Sequence, residues 1–208
     1  MIKKVDKMDK ITHFYENHIE NSHQEVFINI EEDYIKNKDK IIENIQNTIN
    51  KTCKEIYNLQ QNEEKLPIKY IFISFLRTQI LKNSSNYRVD FYDDRIFLDE
   101  DNCHCYFDMD FIFKPFFKKM DEIEKKKDNP MYMRQVTSID VEDFKLYESL
   151  KYNLLVKEIL KENMDTIFEC EGFDLLEKDD ELIVVFGEYK DNFEIIKKFA
   201  LSEKSVAE

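Results

Sequence analysis

Three short clusters in this chain carry side chains that can do chemistry. Cys103-His104-Cys105 offers two thiols and an imidazole, the donor types that zinc prefers. Asp108-x-Asp110 offers two carboxylates, with Asp90 and Asp94 upstream. On one strand face such a pair would hold Mg²⁺ or Mn²⁺ for phosphoryl or glycosyl transfer. His13, His18 and His23 recur every five residues.

Each cluster also has a plainer explanation. On a strand, Cys103 and Cys105 share a face while His104 points away. A zinc site would need a second ligand pair, and Cys53 and Cys170 stand apart in the sequence. No base or orienting partner for a catalytic thiol is evident. A five-residue step on a helix turns roughly 140° from face to face, so the three histidines read as solvated polar residues. Short D-x-D matches arise by chance in a chain with 44 acids. Gly172 and Gly187 are the only glycines, so neither a phosphate-cradling loop nor a dinucleotide fingerprint can be built. Phe111, Phe113, Phe116 and Phe117 alternate with Lys114, Lys118 and Lys119. They read as the buried and wet faces of one amphipathic helix rather than a nucleic-acid surface. The balance is against an enzyme. No catalytic residue, metal ligand or cofactor is assigned.

The elements that must position these residues follow from composition and pattern. The chain has 208 residues, 42% apolar and 36% charged, with 17 Phe and 11 Tyr. That supplies a sizeable aromatic core under a mixed-charge surface. Two Gly and three Pro favour long helices and few tight turns. The abundance of Lys, Ile, Asn and Glu without Trp fits an AT-rich bacterial or phage genome. Met-Ile-Lys-Lys is not followed by an apolar stretch, and no long apolar run exists. The expectation is a cytoplasmic protein with reduced cysteines and no membrane contact.

The fold class expected is α+β, mainly helical with a small antiparallel sheet. Residues 1–65 read as an N-terminal helical part packed on the rest, 66–201 as an α+β core and 202–208 as a frayed tail. Residues 1–30 suggest one or two short helices. Ile42, Ile45, Ile49, Thr52, Ile56 and Leu59 stripe a helix over 31–62. The stripe would serve either packing within the chain or, as a seam of about three heptads, an oligomeric adaptor. Ile68 to Leu81 is apolar nearly all round and reads as a buried central helix, with a strand as the alternative. Tyr87–Tyr92 alternates as a strand, Asp93-Asp94 turns, and Arg95–Leu98 returns as a strand. Cys103–Phe107 makes a third strand and 110–127 a helix. Ser138 or Asp140 caps the next helix, striped by Phe144, Tyr147, Leu150, Leu154, Leu155, Ile159 and Ile167. Gly172 suits the residue just past its end. Glu181–Tyr189 is a buried strand, and 192–201 a short terminal helix.

Leu66-Pro67-Ile68-Lys69-Tyr70-Ile71, Ser74-Phe75-Leu76-Arg77-Thr78, Tyr87-Arg88-Val89-Asp90 and Phe107-Asp108-Met109-Asp110-Phe111 resemble stretches in uncharacterised small proteins of AT-rich anaerobic bacteria. The resemblance spans Leu66 to Tyr189 and implies a self-contained bacterial domain. It brings no activity and no site residues with it.

The net charge of −13 is unevenly spread. Asp90, Asp93, Asp94, Asp99, Glu100, Asp101, Asp108 and Asp110 stand against one base, Arg95. Glu171, Asp174, Glu177, Asp179, Asp180, Glu181, Glu188 and Asp191 stand against Lys178 and Lys190. These two segments hold the whole excess. They either keep turns and edges soluble or form one negative face. The functional expectation is non-catalytic: an acidic surface docks a basic protein partner, such as a nuclease or another nucleic-acid-binding protein. Toxin-immunity proteins and inhibitors of host defence are of this kind. Direct nucleic-acid binding is disfavoured by repulsion. The rival is a metal-dependent enzyme using Asp90, Asp94, Asp108 and Asp110.

Overall fold

The computed structural model describes residues 7–99 and 103–200. In chain order these form α1 (Lys7–His18), α2 (Gln24–Gln61), β1 (Ile68–Phe75), α3 (Arg77–Leu81), β2 (Asn86–Tyr92), a 3₁₀ turn (Ile96–Leu98) and β3 (His104–Asp108). There follow α4 (Asp110–Glu124), a second 3₁₀ turn (Lys125–Asp128), α5 (Ser138–Phe168), α6 (Glu171–Leu175), β4 (Lys178–Glu188) and β5 (Phe193–Ala200). The fold is α+β and mainly helical. Two compact units share the chain. One comprises Met1–Asn37, Arg77–Ser85 and Met109–Leu154; the other comprises Lys38–Leu76, Asn86–Asp108 and Leu155–Glu208.

The second unit is built on a five-stranded sheet of order β3-β2-β1-β4-β5. Three of its pairings are antiparallel, but β1 and β4 run parallel, so the sheet is mixed. β1 occupies the middle. Ile71 and Ile73 sit between Phe91 and Val89 on one side and Val184 and Phe186 on the other, all buried. On the opposite face Phe72, Tyr92 and Val185 form a cluster with Tyr70, Ile96, Ile183 and Phe193. Being buried on both faces explains why this segment reads as a continuous apolar run. The same run suggests a buried helix in sequence. Its β-branched and aromatic content, with partners on both edges, makes it a strand.

The predicted stripe of α2 is confirmed as core. Ile42, Ile45, Ile49, Thr52 and Ile56 are buried, which removes the oligomeric seam through this stripe. A hydrogen bond between the Thr52 hydroxyl and the Cys105 thiol ties α2 to β3. At the end of α2, the Gln60 side-chain amide donates to the Leu66 and Glu177 carbonyls at 3.2 and 2.9 Å. Its oxygen accepts the Glu177 N–H at 2.9 Å. Gln60 thus clamps the entries of β1 and β4 together.

Three segments take forms other than those expected. Arg95–Leu98 does not return as a strand, because the Asp93 carboxylate accepts the Arg95 backbone N–H at 2.9 Å and turns the chain into a 3₁₀ turn. Residues 193–200 form β5 rather than a terminal helix. The β4–β5 turn places Lys190 at φ 58°, and a Cβ on Gly187 would lie 1.9 Å from the Asn192 carbonyl oxygen. Gly187 is therefore what lets the hairpin close. Gly172 is not a helix terminator. It is buried within α6, where a Cβ would lie 2.3 Å from the Asn50 carbonyl oxygen.

In the first unit α5 begins at a capping box. The Thr137 hydroxyl accepts the Asp140 N–H at 3.3 Å, and the Asp140 carboxylate accepts the Thr137 N–H at 2.7 Å. Thr137 is the cap, rather than Ser138 or Asp140, and Asp140 is its partner inside the helix. Phe113, Phe116 and Phe117 of α4 are buried while Lys114 and Lys118 face solvent, as the pattern predicts.

Ile49 is 0% exposed. Ile49→Ala should cost ~2–5 kcal/mol as a cavity-forming change, measured by denaturant melting. Gly172→Ala should cost about 1–3 kcal/mol in the same assay, since α6 must move off α2 to admit the methyl group.

Candidate functional site

The acidic residues singled out in the sequence have different fates. Asp90, Asp93 and Asp99 are buried. The Arg88 guanidinium Nε donates to both Asp90 oxygens, at 2.8 and 2.9 Å. Arg95 donates through Nε and a terminal nitrogen to Asp93, the closest contact being 2.5 Å. Burial works against the Asp93 carboxylate, but the Arg95 hydrogen bonds outweigh it and hold the group below the usual carboxylate range. Asp99 pairs with Lys65, and both side chains are fully buried. Asp99 also accepts the Asp93 backbone N–H at 3.2 Å. Asp93 and Asp99 fasten the turn after β2, while Asp90 is paired within β2. All three are taken up within the chain.

Asp108 and Asp110 do not share a strand face. Asp108 ends β3, while Asp110 begins α4 and accepts from the Ser85 hydroxyl at 2.5 Å and the Lys114 ammonium at 2.6 Å. With Asp90 held by Arg88 and Asp110 held by Lys114, the four-carboxylate metal site does not assemble. Among the described residues no group of three or more His, Cys, Asp or Glu is placed to hold a metal ion. No cysteine is in a disulfide among the described residues, and burial pushes the Cys105 thiol up to about 11, away from a reactive thiolate.

The remaining acids converge. Asp94, Asp179 and Asp180 line one recess of ≈ 360 Å³ with Leu66, Pro67 and Lys178. The sheet topology makes this recess. Parallel pairing brings the entries of β1 and β4 side by side, with Ile68 opposite Lys178. Antiparallel pairing sends the end of β2 to the same edge, with Tyr92 opposite Tyr70. Asp94 and Asp180 are exposed and make no ion pair among the described residues. Asp179 pairs with Lys69 at 3.1 Å. The Lys178 ammonium donates to the Phe173 carbonyl. Glu181, next along β4, pairs with Lys198 at 2.9 Å. Glu100 and Asp101 lie outside the described residues.

A second polar constellation, in the first unit, was not foreseen. His23 is buried rather than solvated. Its Nδ1 lies 2.7 Å from the Tyr152 hydroxyl, and its Nε2 lies 3.5 Å from a Glu148 oxygen. Glu148 is fully buried and accepts from the Tyr15 hydroxyl at 2.8 Å and from the Lys151 ammonium at 2.9 and 2.7 Å. His13 likewise meets the Tyr132 hydroxyl at 3.0 Å. A carboxylate at position 148 with tyrosine four residues on is visible in sequence. The partners from α1 and the start of α2 are not.

Burial holds the His23 imidazole below its ordinary range, against the pull of Glu148 toward the charged form. The unfolded chain therefore binds this proton more readily than the folded one. Stability is full above the ordinary histidine range and falls as pH drops through it, by about 1.4 kcal/mol per pH unit until the folded group also titrates. His23→Gln should flatten the loss of melting temperature between about pH 7.5 and about pH 5.5. His18, also held low by burial, leaves a residual slope.

Compared with protein-family models, curated proteins and solved structures, the chain matches none.

Proposed function

We propose that this protein is a non-catalytic binding module that receives a basic segment of a protein partner at the recess lined by Asp94, Asp179 and Asp180. One observation carries the reading. Acids from the two charged segments, far apart in sequence, meet in one recess, and two of the three make no ion pair among the described residues. Many of the other acids in those segments are neutralised within the chain. Asp90, Asp93, Asp99, Asp110 and Glu181 each face a lysine or arginine. Asp94 and Asp180 are not among these paired acids.

The chemistry selects the kind of partner. Carboxylates beside the apolar rim of Leu66 and Pro67 suit a lysine or arginine side chain with its aliphatic stem. Unpaired acids at the recess repel phosphates and attract basic proteins through the long-range field. An immunity protein or an inhibitor of a nucleic-acid-binding enzyme uses such a surface. The reading favours binding over catalysis because two of the four candidate catalytic carboxylates, Asp90 and Asp110, are committed to pairs with Arg88 and Lys114.

The test begins with affinity capture of a partner. Association is then followed against salt for the native chain and for Asp94→Lys combined with Asp180→Lys. Both positions are exposed and unpaired, so the fold should be unaffected within about 0.5 kcal/mol. The double variant should associate at least about tenfold more slowly at low ionic strength, and its rate should lose most of its salt response. A folded variant with unchanged rate and unchanged salt response would leave the recess as a solubilising surface and end this reading.

A further inference from the structure

The first half of helix α5 turns part of its apolar pattern to solvent, while Ile159 and Ile167 farther along the same stripe are buried. Of its predicted stripe, Tyr147, Leu150 and Leu154 are 59%, 46% and 56% exposed, and Ile139 near its start is 69% exposed. Beside Val141, the inward face over the same turns carries Lys145, Glu148, Ser149, Tyr152 and Asn153, all buried. The helix cannot rotate to hide its apolar side. Doing so would pull Glu148 from Tyr15 and Lys151 and would break the contact between Tyr152 and His23. An exposed run of this kind on a long, well-anchored helix marks an interaction surface.

Its register says what fits. Positions 139, 143, 147, 150 and 154 step by four, four, three and four, which is one stripe along a helix. Asp143, exposed and without an ion pair among the described residues, interrupts it. Lys151 flanks it, with two hydrogen bonds to Glu148 and its side chain 43% exposed. Two such helices packed antiparallel about Tyr147 bring Asp143 of each copy opposite Lys151 of the other. The same register sets Ile139 beside Leu154 of the second copy and Tyr147 against Tyr147. A parallel pairing would set Asp143 against Asp143 and Lys151 against Lys151, which like-charge repulsion opposes. The stripe spans about 24 Å, four turns of helix, enough for a two-fold symmetric seam.

We propose that the chain forms a two-fold dimer by packing the Ile139–Leu154 stripe of α5 antiparallel against the same stripe of a second copy. This surface is separate from the acidic recess, and its test does not involve the recess residues.

Sedimentation velocity of the full chain across about 1 to about 100 µM should show a concentration-dependent dimer. Leu150→Glu and Asp143→Lys should each raise its dissociation constant at least about tenfold. Both positions are exposed, so thermal melting of the monomer should stay unchanged. Tyr147→Cys lies on the two-fold axis and should give a covalent dimer with a short bismaleimide, above the native-cysteine background. Ile139→Cys, displaced from the axis, should not. A native chain that stays monomeric overturns the proposal and assigns the stripe to a different occupant. A dimer unmoved by Leu150→Glu and Asp143→Lys overturns it in favour of another surface. Efficient cross-linking of Ile139→Cys overturns the antiparallel register.

Discussion

The pairing of β1 with β4 is the constraint on which the second unit depends. It joins segments roughly 110 positions apart, a contact whose loop-closure entropy must be offset by what it buries. The offset comes from β1 being covered on both faces, with Ile71 and Ile73 on one and Phe72 on the other. Gln60 adds three hydrogen bonds that hold the two strand entries in register. Because β1 and β4 enter together, everything attached to their entries collects at one edge. The acidic recess is a consequence of that alignment.

The electrostatics of this unit illustrate how little net charge says about available charge. The segment from Asp90 to Asp99 is strongly acidic, yet its buried carboxylates are occupied by Arg88, Arg95 and Lys65. A buried carboxylate without such partners would carry a large desolvation cost. The turn therefore folds only as a set of pairs. What remains for solvent is what those pairs leave out, and Asp94 and Asp180 are the clearest examples.

The first unit shows the converse trade. Its buried polar group, Glu148 with His23, Tyr15, Tyr152 and Lys151, occupies the place that an apolar stripe would fill. A network of this kind is stable only when its members are satisfied together. The Nε2 atom of His23 is without a hydrogen bond, 3.5 Å from the Glu148 carboxylate, so the network is incomplete at one atom. Satisfying the rest fixes the rotation of α5, and Ile139, Tyr147, Leu150 and Leu154 are consequently turned to solvent.

Local signals alone determined much of the secondary structure. The isoleucine spacing of α2, the alternation of β2 and the aromatic–lysine pattern of α4 each depend on side chains a few residues apart. The fold class follows from them. Tertiary structure decided whatever depends on partners far along the chain. Residues 68–75 are a strand because β2 and β4 lie on either side, and 193–200 a strand because β4 offers an edge. Asp94 meets Asp179 and Asp180 only through the strand order. Asp93 and Asp99 are internal because Arg95 and Lys65 reach them, and Glu148 is buried because His23 and Tyr15 meet it. Periodicity records which side of a helix is apolar. It does not record which side the rest of the chain can satisfy, and in α5 hydrogen bonds to distant residues outweighed the burial of leucine and tyrosine.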